Sequence, residues 1–224
     1  NNQLTDLNVS DCIALTFLDC YNNHLTSLDL SKNIALTSLF CYKNQLKELD
    51  MSGNPALKTL HCSENQLTKL NIRNNAVLDS LGCDENQLTA LDVTQNIALV
   101  NLACGINQIE SLDVRNCIKL EALECDNNKI TELDLSNNPL LTELSCDGNL
   151  LTVLDLSKNT KLKLLQCCSN QLACLNLSNN PDCTDIMAHS NRQNITVNAN
   201  NEFDLSKLQG FDVSKASKWT VGIV

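Results

Sequence analysis

Apolar residues recur along this chain in a pattern that repeats every 21 residues, with polar positions between them. One unit, Asn44 to Glu64, reads N-Q-L-K-E-L-D-M-S-G-N-P-A-L-K-T-L-H-C-S-E and divides into two unequal halves. Each half carries the core L-x-x-L-x-(apolar)-x-x-N. Leu46, Leu49 and Met51 form the first apolar set, and Leu57, Leu60 and Cys62 form the second. The L-x-M and L-x-C steps alternate with period 2, which predicts a short strand in each half with these side chains inward. Ser52-Gly53-Asn54-Pro55 predicts the turn that separates them. No segment offers ten residues of helical periodicity, so the predicted coil is strand and turn.

The same register holds along most of the chain. The second rung is Leu from Leu7 through Leu175, the fifth is Leu from Leu18 through Leu165, and the sixth is Cys20, Cys41, Cys62, Cys83, Cys104, Cys125, Cys146 and Cys167. A buried aliphatic side chain contributes on the order of 1.5–3 kcal/mol. No unit can shield its own rungs, so neighbours must stack into a one-dimensional array. Asn occupies every twenty-first position from Asn2 to Asn191. An amide side chain offers donors and an acceptor, so this column is expected to bond the corners of successive coils. A second column, Asn33, Asn54, Asn75, Asn96, Asn138, Asn159 and Asn180, is expected to do the same at the other corner, with Cys12 and Cys117 in its register. Residues 1–190 read as an array of about nine repeats. Cys183, Ile186 and Ala188 break the wording of the ninth, and Phe203, Phe211 and Trp219 follow. Residues 191–224 are therefore expected to be a C-terminal cap over the last open core. The chain opens in mid-pattern, which reads as a fragment whose natural start lies upstream.

Charge narrows the function classes. A formal net charge of −10 argues against nucleic acid and against an anionic membrane surface. No run of ~18 apolar residues is present to span a membrane. The thirteen cysteines do not read as a disulfide framework. Stacked coils hold equivalent residues ~4.8 Å apart with parallel side chains, whereas a disulfide needs convergent ones. The column reads instead as small buried hydrophobes. Cys168, at an outward loop position, and Cys174, on the outer face, are the better candidates for reactive thiols.

The segment Leu36-Thr37-Ser38-Leu39-Phe40-Cys41-Tyr42-Lys43-Asn44-Gln45-Leu46 resembles the leucine-rich repeat, L-x-x-L-x-L-x-x-N/C-x-L. The 21-residue length and the nested second half resemble the short bacterial class called IRREKO-type repeats. The wording of Leu25 to Asn33 is similar to arrays in surface and secreted proteins of gut bacteria. The resemblance implies a right-handed, β-rich solenoid with little or no helix, an extracellular or cell-surface location, and a binding or adhesion role. Cys at the last strand position departs from the common Leu and leaves the fold intact.

Candidate chemistry is sparse. Asp29, Asp50, Asp92, Asp113, Asp134 and Asp155 form an acidic ladder, which would suit paired-carboxylate chemistry or Ca²⁺ only if one coil differed from the rest. None does, and nearby Ser31 and Thr94 are expected to satisfy these groups. No C-x-x-C, H-E-x-x-H, G-x-S-x-G or P-loop occurs, and no coil carries an insertion that would build a pocket, so no cofactor, metal or catalytic residue is assigned. Recognition is the remaining reading. Along the second strand the outward positions change from coil to coil: Asp19, Phe40, His61, Gly82, Ala103, Glu124, Ser145, Gln166. Phe17, Tyr21, Phe40, Tyr42 and His61 are expected to cluster towards the N-terminal end, with a shallow trough at Gly82, Ala103 and Gly105. Asp84, Glu85, Glu121, Glu124, Asp126 and Asp147 make an acidic zone beyond. Phe17, Tyr21, Phe40, Tyr42, His61, Asp84, Glu124 and Asp126 are the candidate contacts to a protein partner. The alternatives are that the aromatics pack under an N-terminal cap while the acids only solubilise a spacer module, or that the solenoid hosts a carbohydrate-active enzyme. The sequence leaves the oligomeric state open.

Overall fold

The inward Leu of each second half, flanked by two outward residues, forms a three-residue strand. The structure, a computed structural model, describes residues 2–191 and the backbone of Thr196–Asn198. The described strands run β1 (Phe17–Asp19), β2 (Ser38–Phe40), β3 (Glu48–Asp50), β4 (Thr59–His61), β5 (Lys69–Asn71), β6 (Ser80–Gly82), β7 (Asn101–Ala103), β8 (Ala122–Glu124), β9 (Glu143–Ser145), β10 (Leu164–Gln166), β11 (Cys174–Asn176), β12 (Asp185–Met187) and β13 (Thr196–Asn198). Nine of them make one parallel sheet in the order β1-β2-β4-β6-β7-β8-β9-β10-β12, each strand pairing with its equivalent one coil away. Leu39 pairs with Leu60 and Leu60 with Leu81, so the register preserves the sequence period. Among the described residues there is no helix, and the chain is the leucine-rich-repeat solenoid that its pattern predicts. The expected cap lies outside the described residues, apart from the β13 backbone.

The first halves depart from expectation. Among the described residues only β3 pairs with β5 and β11 with β13 on that side. The ladder position pairs Asp50 with Asn71 in one case and Asn176 with Asn198 in the other. Where Asp would stack on Asp, from Asp92 through Asp155, no ladder forms. Charge alone does not decide this, since the Asn71–Asp92 and Asp155–Asn176 steps form no ladder either; between β3 and β5, Asn71 donates to Asp50 Oδ1 at 2.9 Å.

The core is a set of parallel columns. Leu25, Leu46, Leu67, Leu88, Ile109, Ile130, Leu151 and Leu172 are fully inaccessible, as are Leu36, Leu57, Leu78, Leu99, Leu120, Leu141 and Leu162. All thirteen cysteines are free thiols, and the column from Cys20 to Cys167 is buried. Burial pushes these thiols up, Cys20 to about 11 and Cys125 to about 12, which makes the column chemically quiet. Cys174 is exposed as expected. Cys168 is not: it is buried, and its amide donates to the Asp147 carboxylate of the preceding coil.

The two asparagine columns differ. Asn107 Nδ2 donates to the carbonyls of Cys83, Cys104 and Gly105 at 3.1, 3.2 and 3.0 Å, and Oδ1 accepts the Leu88 amide at 2.9 Å. The same set recurs at Asn44, Asn86, Asn128, Asn149 and Asn170. In the second column Asn96 Nδ2 donates to Ile72 and Asn75 carbonyls, both at 3.0 Å, while its Oδ1 meets no donor. The expectation that both columns work alike is thus corrected. The second corner asks only for a donor, and a thiol can supply one: Cys117 Sγ lies 3.7 and 3.8 Å from the Val93 and Asn96 carbonyls. This explains why Cys stands in the second column and never in the first.

Just before each first-column Asn from Asn23 to Asn191 the backbone turns left-handed. Asn22, Lys43, Glu64, Glu85, Ile106, Asn127, Gly148, Ser169 and Ser190 all have positive φ, between 49° and 62°. Only one is Gly. The Asn side chain on the next residue, bonded to the two carbonyls that precede the corner and to one in the preceding coil, holds the others in a conformation that Cβ disfavours.

Candidate functional site

Each sheet strand presents two side chains outward, and the residue two positions further on adds a third row on the same side. At the N-terminal end these rows carry aromatics. Phe17 and Phe40 lie with centroids 5.7 Å apart, and Phe40 stacks on His61 at 5.1 Å with the rings 7° from parallel. Tyr21 stacks on Tyr42 at 4.7 Å and 11°. The five expected aromatic candidates therefore fall into two stacks: Phe40–His61 and Tyr21–Tyr42 are 21-residue neighbours across one strand spacing, and Phe17 reaches Phe40 diagonally, since its own register partner is Ser38. Phe17 is 56% exposed, while Phe40, Tyr21, Tyr42 and His61 are half-buried. Burial holds the His61 imidazole below its ordinary range, against the opposite pull of Asp84, which favours a neutral ring in the stack.

The trough expected at Gly82 and Gly105 is filled. The His61 ring lies across Gly82, where an added Cβ would come within 3.0 Å of Nδ1. The Asp126 carboxylate lies across Gly105, where an added Cβ would meet Oδ1 at 2.7 Å. Both glycines are buried by these neighbours. Their missing side chains let a ring and a carboxylate from adjacent coils lie close to the sheet.

Beyond them is the acidic zone. Asp84 Oδ1 accepts the Gly105 amide at 2.9 Å and Oδ2 accepts the Ser63 hydroxyl at 3.1 Å. Asp126 Oδ2 accepts Asn127 Nδ2 at 2.7 Å. Desolvation raises the Asp84 carboxyl above its ordinary range, its hydrogen bonds oppose this, and the Asp126 charge adds to it. Glu124 is raised by desolvation and then by Asp84, Asp126 and Glu143. Asp147 is raised by desolvation, against the Cys168 amide. Glu124, Asp126, Glu143 and Asp147 ring an open depression of about 360 Å³ across β8 to β10. Glu143 is the member that sequence reasoning missed; its signal was its place two residues before the variable row, on the same strand face. Glu85 lies on the left-handed corner and Glu121 before β8, so neither belongs to the ring.

The acidic ladder on the first halves has a local role. Asp29, Asp50, Asp92, Asp113, Asp134 and Asp155 each accept through Oδ1 the backbone amide two residues on, at 2.9–3.1 Å. This is an Asx turn closing the bend. The partner is first the backbone amide, to which Thr94 adds a hydroxyl bond of 2.6 Å to Asp92. Arg115 takes Asp113 down to about 2. Among the described residues, no three His, Cys, Asp or Glu side chains gather in an arrangement able to hold a metal ion.

No protein-family model matches the sequence, and no curated protein matches it. Solved structures do. The functional domain of InlJ from Listeria monocytogenes, which includes a cysteine ladder, is 34% identical over 85% of this chain and 46% of that one, with a TM-score of 0.76. A leucine-rich-repeat protein of Leptospira interrogans is 27% identical over 87% of this chain and 54% of its own, with a TM-score of 0.79. YopM from Yersinia enterocolitica is 26% identical over 83% of this chain and 39% of its own, with a TM-score of 0.65. The chain spans about half the length of the first two.

Proposed function

We propose that this chain, a leucine-rich-repeat protein of the bacterial kind, is a non-enzymatic scaffold that binds a protein partner through the outward rows of its nine-stranded sheet. The observation that carries the reading is the contrast between its two sides. The Asp ladder is spent on Asx turns in coil after coil, whereas the sheet rows change from stacked aromatics to clustered acids. A position that repeats serves the coil; one that varies is free to fit something else. Stacked Phe and Tyr side chains that stay half-exposed suit an interface anchor. We place the protein at the surface of, or secreted from, a bacterial cell, where adhesion is its role; no helix among the described residues is long and apolar enough to cross a membrane. The residues expected to carry binding are Phe17, Tyr21, Phe40, Tyr42, His61, Asp84, Glu124 and Asp126.

The test is binding of the labelled chain to a panel of host-cell and bacterial surface proteins, with a Phe40→Ala, Tyr42→Ala variant and an Asp134→Asn control. Loss of at least tenfold in affinity in the first alone supports the scaffold. Equal binding by all three chains, or none by any, points to a spacer that carries other modules without a ligand of its own.

A further inference from the structure

The sheet face has a charge pattern that stacking does not require. Its three outward rows cross nine strands, and none of the described Lys and Arg residues falls on them. They do carry Asp19, Asp84, Glu124, Asp126, Glu143, Asp147 and Asp185. The ion pairs among the described residues, Lys43–Glu64, Arg73–Asp92 and Arg115–Asp113, all lie off this face. Among the described residues no Lys or Arg shares the face with the carboxylates around the depression, and the basic side chain whose charge bears on Asp147 is His189. Asp147 is pinned by the Cys168 amide and Asp126 by Asn127, and Asp84, which does not line the depression, by the Gly105 amide. Such groups are positioned in advance, so little ordering remains for a ligand to cover.

The aromatic platform lies on the same face. Strand spacing is ~4.8 Å, so three steps, from His61 on β4 to Glu124 on β8, cover ~14 Å along the solenoid axis. An extended peptide of about four residues spans that length at ~3.3 Å each. The depression offers carboxylates on several sides together with Ser145 and Gln166, and is open to solvent. That donor-poor, acceptor-rich lining matches a guanidinium, with its five N–H donors in a plane, better than any neutral or anionic group.

We propose that the face takes a cationic, extended protein segment, with an Arg or Lys side chain in the depression across β8 to β10 and an aromatic or aliphatic side chain about four residues away on the Phe40–His61–Tyr42 platform. This rests on the scaffold reading above and gives its partner a chemistry. The field of the face selects against acidic partners and speeds encounter with basic ones.

The experiment uses the full chain and fluorescein-labelled 12-residue peptides. One carries a Trp followed four and five residues later by Arg; a second replaces both Arg by citrulline, the uncharged isostere; a third replaces Trp by Ser. The protein variant is Glu124→Gln, Glu143→Gln, both exposed, with Asp134→Asn, Asp155→Asn as a control of equal charge change off the face. The Arg peptide is expected to bind, to weaken at least tenfold on citrulline substitution and in the Glu124, Glu143 variant, and to change less than twofold in the control. Replacing Trp is expected to weaken it several-fold. Equal binding of the citrulline peptide, or equal loss in the two variants, overturns the proposal. If the Arg peptide fails while Phe40→Ala, Tyr42→Ala still abolishes capture of a surface protein, the cationic inference falls and the scaffold stands. If neither binds, both fall.

Discussion

Replacing one asparagine by cysteine should cost very different amounts at the two corners, although both are buried columns of the same residue. At the first corner, Asn107→Cys removes the acceptor of the Leu88 amide. The carbonyls that Asn107 served keep other donors: Cys83 has Asn86 Nδ2, Cys104 has Asn128 Nδ2 and Gly105 has the Glu85 amide. The dominant loss is thus one orphaned buried N–H, about 1–3 kcal/mol, with roughly 1 kcal/mol more for the lost bonds. At the second corner, Asn96→Cys leaves the Ile72 and Asn75 carbonyls with the Asn75 and Leu78 amides. The thiol can donate to one of them as Cys117 does, and the unpaired Oδ1 disappears. That change should lie within about 1 kcal/mol of neutral. In a chain of this size each kcal/mol shifts the unfolding midpoint by about 2–4 °C. Asn107→Cys should therefore lower it by roughly 4–16 °C, and Asn96→Cys by no more than about 4 °C. Thermal unfolding followed by circular dichroism under reducing conditions measures both, and hydrogen exchange at the Leu88 amide reads the local effect directly. Equal midpoints for the two variants, or unchanged Leu88 protection in Asn107→Cys, would refute the division of roles between the corners.

Ile106 is β-branched, half-exposed and held at φ 49°. Replacing it with Asn, which occupies the same register at Asn22 and Asn127, should stabilise the array by about 1 kcal/mol in urea denaturation, since Asn tolerates the left-handed region; a loss would mean the side chain packs more than its exposure indicates. Native thiol titration with a disulfide reagent should modify Cys12 and Cys174 quickly and the buried remainder only on unfolding; rapid reaction in the column from Cys41 to Cys146 would contradict the close packing described above.

Much of this protein was legible in its sequence. A 21-residue period names the columns, and in a parallel stack the period alone decides which side chains are neighbours. That is why the aromatic contacts Phe40–His61 and Tyr21–Tyr42 could be anticipated from spacing. Spacing did not say which way a flexible side chain leans. Asp126 lies over Gly105 and His61 over Gly82, so an expected trough is closed and a depression opens one step further along. Nor did it separate the two asparagine columns, because donors and acceptors are used only where backbone groups approach. The left-handed corner was hidden for a related reason: the residues there are mostly not glycine, and an Asn side chain on the next position stabilises what local propensity opposes. The sequence determined the stack and its register, since those follow from which positions must avoid water. The tertiary structure decided which polar groups meet, since that depends on distances of a few tenths of an ångström that no residue pattern carries.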